Sequence, residues 1–198
     1  TCTGFPMIGG TVAGDGDLEV AGDILLSTGT WSNTGTLIQT ASGTFGVTIP
    51  LAAARIGAGV VSDFQTSQTV ASMTVDATGE LDWGVGVGVI TALADNGLAV
   101  LGADHSVGTI TGMGAVKCGA NLLTITAEAN FMGMVYGSVT ATGATITNLV
   151  GVGGTWTNVE GGLHLYPAAA GSGNTGAIQI SPNIGDTFPL GLCLGLAA

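Results

Sequence analysis

Four carboxylates fall within nine residues near the start of the chain: Asp15, Asp17, Glu19 and Asp23, opening with the run Gly14-Asp15-Gly16-Asp17-Leu18-Glu19. The alternation Asp-x-Asp-x-Glu places three of them on one side of an extended segment, as a hard, oxygen-preferring cation requires, so calcium is the cofactor to expect if all four converge. The spacing is neither that of a twelve-residue EF-hand loop nor that of Gly-rich nonapeptide calcium repeats. The competing expectation is a solvated acidic edge that discourages end-to-end aggregation, with no cofactor at all.

Two further groups contain residue types that do chemistry. Glu80 and Asp82 share one face of an extended segment, roughly 7 Å apart, a spacing that an inverting glycosidase uses and that any solvated strand also produces. Asp104-His105-Ser106 holds the residue types of a hydrolytic triad. Neighbours on a strand face opposite ways, however, and a triad is assembled from distant parts of a chain. Polysaccharide lyases built on β-helices draw on basic side chains, and here Arg55 and Lys117 are the whole supply. No catalytic residue is assigned, and the expectation is a protein that is not an enzyme.

Cys2, Cys118 and Cys193 are too few and too scattered for a zinc site. Cys2 and Cys193 lie near opposite ends of the sequence. In a rod they would be far apart within one subunit and close across a head-to-tail junction, where an oxidising environment could join them as an intersubunit disulfide. The alternative is three idle or buried thiols.

Thirteen acids against two bases give a net charge of −11, which removes the electrostatic footprint for nucleic acid and opposes an anionic membrane surface. No run of about 18 apolar residues is present, and Phe188 to Ala198 is too short to span a bilayer, so no membrane insertion is expected. Thr1 is read as the product of Met removal or of signal cleavage.

The elements that position these groups are read from a glycine-rich, small-residue composition: 36 glycines with 46% hydrophobic residues. Such a chain can fill a core, and its glycines and β-branched residues disfavour helix. β-type segments are expected at 23–26, 44–49, 73–76, 98–101, 122–126, 145–149 and 177–180, most of them roughly 24 residues apart. That interval is the size of a three-sided rung of a parallel β-helix. Gly29-Thr30-Trp31-Ser32-Asn33 returns as Gly154-Thr155-Trp156-Thr157-Asn158, which reads as an interval of five such rungs. Pro50 followed by Leu51-Ala52-Ala53-Ala54-Arg55-Ile56 is expected to form a helical turn or cap.

The runs Gly119-Ala120-Asn121-Leu122-Leu123-Thr124-Ile125-Thr126 with Asn130-Phe131-Met132-Gly133, and Thr69 through Leu81, resemble the Gly-Ala-Asn-x-Leu-Thr-type repeats of autotransporter-passenger and haemagglutinin-like β-helices. The pattern is shared with phage fibres and tailspikes, so the resemblance implies a fold more than an activity.

Threonine suggests a binding alternative. The pattern Thr-x-Thr recurs, including at Thr109, Thr124, Thr140 and Thr155. Threonine ladders on a flat face resemble the device of ice-binding solenoids, although the steps between these four imply a coil smaller than the three-sided rung.

The fold expected is therefore all-β, a single-domain right-handed parallel β-helix of about 7–8 rungs, with an antiparallel sandwich or jelly roll as the alternative. Residues 1–16 are read as an N-terminal cap, 17–182 as the solenoid body and 183–198 as an apolar tail. Leu190, Leu192, Leu194 and Leu196 share one face of that tail and are expected to dock on a neighbouring copy unless the strand folds on its own subunit. The expected function is that of a structural subunit self-assembling outside a cell or on a virion. Its partners are copies of itself or other surface proteins. A polysaccharide-binding or polysaccharide-cleaving tailspike-like protein and an ice-binding solenoid are the alternatives.

Overall fold

The computed structural model describes residues 2–7, 11–26, 30–45, 50–65, 69–84, 89–159, 161–166, 179–181 and 193–194. Within them there is no helix, and the stacked strands form a parallel β-solenoid of about 7 turns. The antiparallel alternative is set aside, because strand after strand pairs in parallel with the strand one coil away.

A short sequence motif recurs on one face of the coil. In Leu51-Ala52-Ala53-Ala54-Arg55-Ile56, in Val70-Ala71-Ser72-Met73-Thr74-Val75 and in Ile90-Thr91-Ala92-Leu93-Ala94-Asp95, the first, fourth and sixth residues are buried. Two successive residues face outward between the first and fourth, so strict alternation breaks at the same place in each coil. Stacking these motifs builds continuous inward columns. Leu37, Ala54, Met73, Leu93, Ile110, Ala129 and Ile146 form one, and Leu51, Val70, Ile90, Val107 and Ile125 a second. All twelve are buried. A second face contributes Ser62, Leu81, Ala99 and Val116 in one column, and Phe64, Trp83 and Leu101 in the next.

These columns correct the repeat length. Ala54, Met73, Leu93 and Ile110 are successive register partners, so one coil takes about 19 residues and is shorter than the expected rung. The expected segments fall on strands almost everywhere the chain is described. The steps from 44–49 to 73–76, on to 98–101 and on to 122–126 each change face, whereas Ile24 and Phe45 are direct register partners one coil apart. Thr44 and Leu98–Leu101 lie on one face, Met73 and Leu123 on the other, so those three intervals counted one coil plus part of the next. The distance along the chain between the two Trp motifs therefore corresponds to about seven coils rather than five.

Pro50–Ile56 is a strand, paired on both sides with Thr36–Ala41 and Thr69–Val75, and not a helical turn. Leu51, Ala54 and Ile56 are needed in the inward columns, and that tertiary demand outweighs alanine's preference for helix. The strand Ala115–Thr140 runs for 26 residues, which would reach about 86 Å if straight. Instead it wraps around the coil. Gly119, at φ 62, lies within this run in the left-handed region that glycine tolerates.

Corner side chains tie each coil to the next. The N–H groups of Thr36, Thr44 and Leu122 donate to Asp17 Oδ1 (2.8 Å), Asp23 Oδ1 (2.9 Å) and Asp104 Oδ1 (2.8 Å). Those of Val61, Met113 and Thr155 donate to Ser42 Oγ, Asn96 Oδ1 and Ser138 Oγ. Each bond gives a backbone amide a side-chain acceptor from the preceding coil.

Candidate functional site

The acidic N-terminal cluster is used by the fold. Asp17 and Asp23 accept from the amides of Thr36 and Thr44, which lie at different places on the following coil. Asp15, Asp17, Glu19 and Asp23 are all exposed. Among the described residues no group of three His, Cys, Asp or Glu side chains is placed to hold a metal ion, so the four carboxylates do not converge as the alternation suggested. Strand alternation fixes which side a residue faces, whereas the register shift at Val20 and Ala21 and the positive φ of Gly22 separate Asp17 from Asp23.

A closer carboxylate pair lies elsewhere. Asp63 and Asp82 are register partners on adjacent coils of the second face, with Thr44 one coil before and Val100 one coil after. Partners in neighbouring parallel strands are about 4.8 Å apart at the backbone. Partial burial, and then the charge of Asp63, hold the Asp82 carboxyl above its ordinary pKa. Gln65 Nε2 donates to Asp63 Oδ2 at 2.8 Å. Glu80, two residues before Asp82 on the same outward side, stacks between Val61 and Leu98. Sequence reasoning selects the pair along the strand, Glu80 and Asp82. The pair across coils emerges only once the register between coils is known.

Asp104, His105 and Ser106 do not act together. Asp104 caps the next coil, and Ser106 lies on the outer side between Val89 and Thr124. His105 is buried, stacked on Trp83 with ring centroids 4.0 Å apart, and its Nε2 lies 3.0 Å from Trp83 O and 3.2 Å from Gly84 O. Those contacts suit a core histidine.

The four threonines do not share a ladder. Thr109 pairs with Glu128, Thr124 with Ser106, Thr140 with Thr157 and Thr155 with Gln179, so the four sit in different columns. The outward column Ser72, Ala92, Thr109, Glu128 and Thr145 mixes sizes and charge.

Cys118 is a free thiol in the core, its pKa pushed up to about 12 by burial. The strand Cys2–Met7 pairs with Leu18–Leu26, and Cys193–Leu194 pairs with His164 and Leu165 of the same chain. Cys2 and Cys193 thus belong to the first and last of the described strands. Leu190, Leu192 and Leu196 lie outside the described residues.

The exposed thioethers escaped sequence reasoning. Met113, Met132 and Met134 are 68%, 64% and 46% exposed, and Tyr136, at 37%, continues the outward row of Met132 and Met134 along Ala115–Thr140. The signal lay in Met113-Gly114 and Met132-Gly133-Met134, one coil apart. No family model, curated protein or solved structure matches this chain.

Proposed function

We propose that this chain is a structural subunit that stacks with copies of itself on the outside of a cell or virion, without an enzymatic role. One observation carries the reading. Among the described residues, Cys2–Met7 pairs only with Leu18–Leu26, and Cys193–Leu194 only with the strand Gly161–Tyr166. A second copy that stacked on either of these strands would extend the same parallel ladder through its backbone N–H and C=O groups. Cys2 and Cys193 would lie at that junction, and oxidation by a disulfide oxidase or molecular oxygen would join them. Negative-stain microscopy with sedimentation analysis tests the reading. Oligomers or filaments are expected from the intact chain, and monomers from Gly4→Pro, which removes an N–H from the first strand. Monomeric intact protein would overturn it.

A second reading, glycan binding or cleavage, is favoured by Asp63 and Asp82 on adjacent coils, a separation compatible with two carboxylates flanking a glycosidic bond. Hydrolysis of a polysaccharide panel that is lost in both Asp63→Asn and Asp82→Asn would select it.

A further inference from the structure

Three of the five methionines occupy neighbouring outward positions on adjacent coils. Gly112 pairs with Phe131, and Met134 N–H donates to Gly114 O at 3.1 Å, so Met113 lies one coil from Met132, between these two points of contact. A Cβ on Gly133 would collide with Gly114 O, which shows how closely the two corners stack. Met132 and Met134 are separated by a single glycine, and burial alternates along Phe131, Met132, Gly133, Met134 and Val135, which puts both thioethers outside. Adjacent coils are about 4.8 Å apart and alternate residues of a strand about 6.8 Å, distances that flexible methionine side chains bridge readily. Tyr136 Oη donates to Met134 Sδ at 3.1 Å, so one sulfur already engages an electrophilic partner.

Burial in the core explains Met73, which is 1% exposed, but not these three. Uncharged, polarizable sulfurs without an oxygen donor set suit a soft monovalent ion and not calcium, magnesium or zinc. We propose that Met113, Met132 and Met134 form a surface thioether site for a closed-shell soft cation, Cu(I) or Ag(I). Binding involves no change in oxidation state. The three sulfurs donate lone pairs, and solvent or Tyr136 completes the shell.

Thiols would compete, so the test uses the full chain with its accessible cysteines alkylated by iodoacetamide. It is titrated with silver nitrate in chloride-free buffer and, without oxygen, with acetonitrile-stabilised Cu(I) against a chromogenic Cu(I) chelator. One ion per chain is expected, with the methyl resonances of Met113, Met132 and Met134 shifting while that of Met73 stays. Met113→Leu with Met132→Leu, a volume-conserving change at exposed positions, should weaken binding at least tenfold and leave the melting temperature unchanged. Alkylated protein that takes up neither ion, or leucine variants that bind as tightly as the parent, would overturn the site.

Discussion

The N–H of Gly97 donates to Asp95 Oδ1 at 3.0 Å, while Oδ2 of the same carboxyl is buried without a hydrogen-bond partner among the described residues. Asp95 continues the inward column of Gln39, Ile56 and Val75, and Gly112 backs it from the following coil. A carboxylate there has exchanged water for a single amide. Burial raises its pKa to about 6, against the lowering effect of the Gly97 bond.

The sign of the pH dependence follows. The folded chain holds this proton more tightly than the unfolded chain, so the favourable state is fully present below about pH 4 and is lost between about pH 4 and 6. The loss is about 3 kcal/mol for a shift of this size. Asp95→Asn should raise the melting temperature at pH 7 and remove this step from the stability profile. Parallel profiles for parent and variant would show that the carboxyl finds a partner in solution.

Backbone contact requires glycine at position 114, whereas a left-handed turn conformation favours it at position 119. A Cβ on Gly114 would stand 2.5 Å from Gly97 O, whereas one on Gly119 would meet nothing within 4 Å. Gly114→Ala should therefore cost about 1–3 kcal/mol, by forcing two coils apart. Gly119→Ala should cost about 1 kcal/mol, from its left-handed φ alone. Denaturant melts of the two variants measure the difference, and equal losses would contradict the close-contact argument.

Stacked like charges predict a non-additive pair. Asp63→Asn and Asp82→Asn should each stabilise the protein at neutral pH by a few tenths of a kcal/mol, since both sites are partly solvated. The double variant should gain less than the sum, because either change removes the same repulsion. Raising salt should shrink each effect. Additive, salt-independent changes would mean that the two carboxylates do not sense each other.

The sequence discloses the solenoid through small residues and recurrent β-segments, yet hides its period. Leu51, Ala54 and Ile56, then Val70, Met73 and Val75, then Ile90, Leu93 and Asp95 recur once per coil in matching register. A two-residue outward break defeats a strict alternation template, and Ala54 and Asp95 do not look like core. Asp95-Asn96-Gly97 reads as a turn, which conceals that its first residue points inward. The Asp63 and Asp82 pair, and Met113 beside Met132, depend on register between coils. No property of either segment alone encodes it. The ion pair of Arg55 with Asp76 one coil on, at 2.9 Å, depends on the same register.

The corner carboxylates offer a decisive comparison between capping and metal binding. Asp17 Oδ1 accepts from Thr36 N–H at 2.8 Å, and an asparagine oxygen can accept the same bond. Asp17→Asn should then be nearly neutral, while Asp17→Ala should lose about 1 kcal/mol and expose the Thr36 amide to faster hydrogen exchange. A calcium ligand would behave differently, since loss of its charge would weaken the site and a chelator would lower the melting temperature of the parent. The expected outcome is an unchanged melt in chelator together with rescue by asparagine. A chelator-sensitive melt, abolished equally by Asp17→Asn and Asp17→Ala, would restore the cation and demote the cap.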